Sequence, residues 1–185
     1  DTVFTGKVVL GSFPVLLYFD AYAPRFDVMN WVEGWGNPPD GRHGRNVYRD
    51  AAANPTPRLM TIIQGTLHAK EVTINRLKGR NGAADLRYEN WRNRVNTLDI
   101  QNIMVSGYDG TASGSLQMTM ERRGVSPRFN ILGHFANLET QPFLTDLFGR
   151  EEQTVGRFHG YLRLGGQFAD LSTFVGEGSL LLRNT

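Results

Sequence analysis

The sequence predicts a mainly β fold: a curved antiparallel sheet that forms a groove or half-barrel, with two short helices. Three observations predict it. Five segments share the form Gly-x-apolar-x-apolar, only two stretches carry helical spacing, and loop-forming clusters separate the rest. Alternation with a period of two gives a strand one apolar face and one wet face.

The five glycine-led segments are Gly6 to Leu10, Gly65 to Ala69, Gly114 to Met118, Gly160 to Leu164 and Gly178 to Leu182. In the central three the alternate positions are Thr66 and His68, Ser115 and Gln117, and Tyr161 and Arg163. Further strands are expected between them. Val72 to Leu77 alternates, and so does Ala84 to Tyr88. Asn90 to Asn93 reads as a turn. Leu98 and Ile100 share one parity, whereas Ile103 and Val105 have the other, which predicts a bulge near Gln101-Asn102. Tyr108-Asp109-Gly110 reads as a turn whose Asp-Gly pair suits positive φ. Arg122-Arg123-Gly124 is another turn, after which Phe129, Ile131 and Gly133 resume alternation.

The first helix is expected over Asp27 to Trp35, with Val28, Trp31, Val32 and Trp35 on one stripe and Asp27 as its cap. The second is expected over Glu139 to Phe148, with Phe143, Leu144, Leu147 and Phe148 apolar. Pro142 falls in its first turn and Gly149 stops it. Each follows an aromatic-rich extended stretch, and Trp31-Val32 matches Phe143-Leu144, the mark of a partial internal repeat. Residues 36–58 contain Asn37-Pro38-Pro39-Asp40-Gly41 and Asn54-Pro55-Thr56-Pro57 and read as a long irregular loop, either an insertion or a cover over an opening. The division expected is 1–58 for the N-terminal strands, helix and loop, and 59–185 for a β module.

Composition narrows the function classes. The chain has 185 residues, 40% hydrophobic and 21% charged, with a formal net charge of only +2. That argues against a nucleic-acid binder. Cysteine is absent, so there is no disulfide, thiolate metal site or cysteine nucleophile. No apolar run approaches the ~20 residues of a membrane-spanning helix. The chain starts within a strand pattern and without Met, as expected of a piece of something longer.

The chemistry-bearing residues form no enzyme signature. His43, His68, His134 and His159 have no metal-ligand spacing. Asp20 and Asp27 do not make an acid–base pair on spacing alone. Asn54-Pro55-Thr56 fails as a glycosylation acceptor because of its proline. Gly-x-Ser-x-Gly, phosphate-loop and dinucleotide patterns are missing from the sequence. No enzymatic activity and no cofactor is therefore expected.

From Leu59 onward the order of elements resembles the C-terminal region of the AsmA-like family, which includes the TamB and YhdP type proteins. Leu98-Asp99-Ile100 leads to Tyr108-Asp109-Gly110-Thr111-Ala112-Ser113-Gly114-Ser115-Leu116, similar to the family's Tyr-Gly-Gly-x-x-Ser-Gly-x-Leu segment with Asp109 in place of a glycine. Pro127-Arg128-Phe129 opens a strand, and Asn137 to Leu144 enters the short helix. Gly156 to Leu162, Leu164-Gly165-Gly166 and Leu171 to Leu180 follow. The resemblance implies an elongated β groove in the periplasm of Gram-negative bacteria. It also implies an inner-membrane anchor on a segment outside this chain, and a part in phospholipid movement or outer-membrane maintenance.

The strand pattern has its own physical reading. Two short helices supply too little area to cover so much apolar sheet. The face is then either a closed core or a trough that takes phospholipid acyl chains. Candidate lining residues are Leu67, Leu116, Met118, Met120, Leu162, Leu164, Leu180 and Leu182; as plain core they would do the same packing without a ligand. Arginine dominates the basic residues, so Arg42, Arg45 and Arg49 are candidates for headgroup contact, against a reading as solvated loop charges. Arg92 and Arg94 beside Trp91 carry the same two readings at a membrane interface. The terminal Gly6 and Gly178 strands present sheet edges that neighbouring β modules of the same parent protein can pair with. The alternative function is a structural protein–protein interaction module without lipid.

Overall fold

The computed structural model describes residues 3–9, 14–28, 58–92, 95–120, 127–168 and 170–183. Among these residues nine strands form one open sheet in which spatial order follows chain order. They are β1 (Val3–Val9), β2 (Val15–Asp27), β3 (Arg58–Ile74), β4 (Leu77–Arg92), β5 (Asn96–Gly107), β6 (Gly110–Met120), β7 (Arg128–Glu139), β8 (Arg157–Gln167) and β9 (Asp170–Arg183). The helix α1 (Thr140–Phe148) sits between β7 and β8.

The register explains why glycine leads so many strands. One row crosses the whole sheet as Gly6, Phe19, Gly65, Leu86, Ile100, Leu116, Ile131, Leu164 and Gly176. The row beside it begins Lys7, Tyr18, Gln64, Arg87, Asp99, Gln117 and Asn130. Directly opposed residues share a face, so one face is apolar and the other polar. Phe19 lies between two glycines, and a methyl at Gly65 would come within 2.7 Å of Phe19 Cγ. The Phe19 carbonyl oxygen would be nearer still, so glycine here admits a close approach of the β2 backbone.

Bulges bend these strands without losing the face. Register shifts separate Ile100 from Ile103 in β5, Arg80 from Ala83 in β4, and Phe135 from Leu138 in β7. The extra residues Asn81, Asn102 and Asn137 have φ of 53°, 51° and 60°. Asparagine is among the few side chains that adopt this conformation readily. Each shift changes parity, so that Val105 and Leu138 stay on the apolar side.

Several expectations need correction. The sheet is not wholly antiparallel, because β2 runs parallel to β3. Alternation cannot reveal strand direction. One helix, not two, stands among the described residues. Asp27 is the last residue of β2, and beyond Val28 the expected first helix and its repeat lie outside the described residues. Val72 to Leu77 is not one strand: Asn75-Arg76 form a two-residue turn closed by Ile74 and Leu77, with Asn75 at φ 56°. β4 runs through Asn90 to Arg92 instead of turning there. The turn at Arg122-Arg123-Gly124 lies outside the described residues. The positive φ angles of the β5–β6 hairpin fall on Tyr108 and Asp109, while Gly110 is its closing residue opposite Gly107. The β5 bulge and α1 match their expected positions, with Gly149 at φ 69° as the helix stop.

Buried packing is thin, as one layer of sheet requires. Buried apolar residues include Ala21, Ala23, Ala69, Val72, Leu98, Met118, Phe129, Leu138 and Phe158, and among the described residues Leu98 alone of the large side chains is completely buried. Ala23, Ala69 and Val72 form a small cluster with Phe26, Val28 and Val105. Among the described residues no helix is long and apolar enough to cross a membrane.

Candidate functional site

A hollow of about 410 Å³ opens on the apolar face. Its walls come from five neighbouring strands, with Phe19 and Ala21 from β2, Leu67 from β3, Leu86 from β4, Ile100 and Ile103 from β5, and Leu116 from β6. Small residues deepen it, because Ala23, Ala69, Gly82 and Ala84 also line it.

An aromatic cluster is built on α1. Phe143 packs edge-on to Tyr108 at 5.4 Å between centroids, and lies 5.0 Å from Phe158 and 6.5 Å from Phe135. Polar bonds hold the helix there. The Tyr108 hydroxyl donates to Asp146 Oδ2 at 2.9 Å and accepts from the Lys78 backbone N–H at 2.9 Å. The Glu139 N–H donates to the Tyr108 carbonyl at 2.7 Å. Burial, with the Asp146 charge adding to it, pushes the Tyr108 phenol up to about 12 against the bond from Lys78. Arg157 reaches the carbonyls of Asp109 and Asn137 at 3.2 and 3.3 Å, tying the β5–β6 hairpin to β7 and β8. On β7, Phe129 packs between Phe168 and Phe174, 4.6 and 5.2 Å away.

A second, polar hollow of about 750 Å³ adjoins the α1 end. Arg25 lines both it and the apolar hollow. Arg80, Lys78, Glu71, Asp109 and Asp146 are also in its wall, and Arg76 and Asp27 line the adjoining hollow that shares Arg25. Lys78 Nζ is 3.7 Å from Asp146, and Arg157 is 3.8 Å from Asp109. Arg25, Arg76 and Arg80 have no ion pair among the described residues.

The residues proposed from sequence divide into groups. Leu67 and Leu116 line the hollow. Met118 is buried at 3% exposure, opposite Leu98 and Phe129, and packs as core. Met120 is half-buried at the end of β6. Leu162, Leu164, Leu180 and Leu182 continue the apolar face on β8 and β9, outside the hollow, where Leu180 is 68% exposed. Arg42, Arg45 and Arg49 lie outside the described residues, as does His43. The remaining histidines lie away from the hollow. His68 is 3.9 Å from Asp20, His134 faces the Tyr161 ring, and His159 Nδ1 accepts the Asn137 N–H. Among the described residues no group of three His, Asp or Glu is placed to hold a metal.

The polar face is a separate surface. Glu89 accepts from Arg87 at 3.0 and 2.8 Å and from the Trp91 ring N–H at 3.0 Å. The Arg87 bonds hold its carboxyl below the usual range, against a smaller burial effect.

Comparisons with family models, with curated proteins and with solved structures find no match.

Proposed function

We propose that this chain is a non-enzymatic envelope module of the AsmA-like kind. In this reading its apolar groove receives phospholipid acyl chains during transport between inner and outer membranes or during outer-membrane maintenance. Its setting is the periplasm, as part of an inner-membrane-anchored protein. The observation that carries the reading is the concave apolar hollow on five adjacent strands. Each CH₂ buried there gains about 0.8 kcal/mol before ordering costs. No catalytic group is needed. Of the resembling segments, Ile100 and Leu116 line this hollow.

Native mass spectrometry of the purified chain should find co-purified phospholipid, and Leu116→Asp should abolish it. Leu162→Asp, on the open part of the face, should leave the fold intact by circular dichroism. A folded, lipid-free wild type that takes up no lipid from vesicles would overturn the proposal.

A second reading is favoured by the sheet edge. Among the described residues nothing pairs with the outer side of β9, and there Leu171 and Val175 are each 77% exposed. An unpaired strand with apolar side chains on both faces suits pairing with a neighbouring β module. Concentration-dependent association that Val175→Lys removes, with no lipid bound, would favour this structural role over the first.

A further inference from the structure

The outer edge of β9 is open to a further strand. Among the described residues nothing pairs with it, and the strand contains no Lys or Pro to discourage pairing. Its even-numbered residues continue the apolar face, since Leu180 stands opposite Gly160 and Leu182 opposite Phe158. Leu180 and Leu182 are 68% and 42% exposed. The odd-numbered residues from Glu177 to Arg183 continue the polar face.

The charges on this strand name its neighbour. Arg183 lies directly opposite Arg157, and like charges so placed are destabilising. Arg157 already faces Asp109, and Arg183 has no counter-charge among the described residues. Glu177 meets Arg163 only at 3.9 Å, with both side chains exposed. Glu177 and Arg183 share a face, and Leu180 is midway between them. In an antiparallel pair related by a two-fold axis, residues equally far on either side of the centre oppose each other. Centring on Leu180 puts Glu177 of each copy opposite Arg183 of the other, twice over. It also sets Leu182 against Gly178, which has no side chain to block it. Centring one residue to either side loses both ion pairs, and centring on Glu177 sets the two carboxylates together.

We propose that the β9 edge takes a second copy of this chain, joined β9 to β9 in antiparallel about Leu180. This rests on the reading of β9 as a pairing edge and names its occupant. Glu177 to Arg183 of each copy form the joint. The apolar faces of the two sheets lie on the same side, so the apolar surface runs through from one copy to the next. A joint this short falls below the standard interface size, and dimerisation should be weak, with Kd on the order of 100 µM.

Sedimentation equilibrium of the full chain should show a monomer–dimer equilibrium in that range. Glu177→Arg and Arg183→Glu, both at exposed positions, should stay folded by circular dichroism. Each should dimerise about tenfold more weakly, because it turns two ion pairs into two like-charge contacts. An equal mixture of the two variants should associate as the wild type does, since every contact is then between opposite charges. The chain has no cysteine, so Leu180→Cys supplies one thiol per copy. Directly opposed residues of antiparallel strands lie within disulfide reach, and this variant should cross-link in air-oxidised buffer. Val175→Cys, at a 77% exposed position far from its equivalent in this register, should cross-link much more slowly. Association indifferent to the charge changes, or faster cross-linking at position 175, would overturn the register. Species heavier than a dimer would overturn it too, since pairing with another strand such as β1 builds open chains. A monomeric wild type with fast exchange at alternate β9 amides would overturn self-pairing and leave the edge reading standing. Slow exchange at all β9 amides of a monomer would sink the edge reading itself.

Discussion

Replacing Tyr108 by Phe removes one oxygen and leaves the ring against Phe143. The lost hydroxyl accepts from the Lys78 N–H and donates to Asp146, both at 2.9 Å. A hydrogen bond to a charged group contributes about 1.5–3 kcal/mol, and the lower end applies here because water reaches the Lys78 side. Urea unfolding followed by circular dichroism at neutral pH should show Tyr108→Phe destabilised by about 1.5 kcal/mol with an unchanged slope. Asp146→Asn should cost a similar amount, since its exposed pair with Lys78 adds little. The double variant should cost less than the two together, because each single change already breaks the shared bond. The pH dependence has a definite sign. The folded phenol titrates near 12 and the unfolded one near 10.0. The neutral form is thus favoured by folding. Its contribution is complete below pH 10 and fades as pH rises toward 12. Tyr108→Phe should lack that alkaline decline relative to wild type. Strict additivity of the two substitutions, or parallel alkaline profiles, would refute the latch between the hairpin and α1.

Leu98→Ala removes a completely buried large side chain and should cost about 2–5 kcal/mol, read from the same urea curves. Phe143→Ala should loosen α1 and cost about 3 kcal/mol, with faster amide exchange in α1 as the accompanying sign. At Asn102, valine should cost about 1–2 kcal/mol from its φ of 51°, whereas glycine should stay within about 1 kcal/mol of wild type. Equal effects of the two would mean that the bulge is not what that position specifies.

The parts of this fold legible in the sequence are those that depend on local chemistry. Alternation around Gly65, Gly114 and Gly160 placed strands and their apolar faces. The parity change from Ile100 to Ile103 located a bulge. Pro142 and Gly149 bracketed α1. The same parity change between Phe135 and Leu138, with Asn137 between them, was present in the sequence and marks the β7 bulge equally well. Other features were not legible because they are set by distant pairings. The direction of β2 relative to β3 leaves no periodic trace. Of the lining residues, Leu67 and Leu116 follow from alternation, but Ala23, Ala69 and Gly82 are too small to stand out. They matter because they sit side by side on three strands. Arg25 was passed over as one arginine among many, and only the register places it where apolar wall meets polar wall.

The parallel pairing of β2 with β3 also bears on how the chain assembles. From β3 to β7 each strand can add to the last through a short return, and the sheet can zip locally. β2 has no such route, since its end at Asp27 lies beside Thr73 whereas β3 begins at Arg58. Closing that circuit carries an entropic delay and raises contact order. The β1–β2 hairpin is therefore the late-docking unit, and its amides should exchange with solvent ahead of those of β5 and β6. Slower exchange in β2 than in β5 would contradict this order.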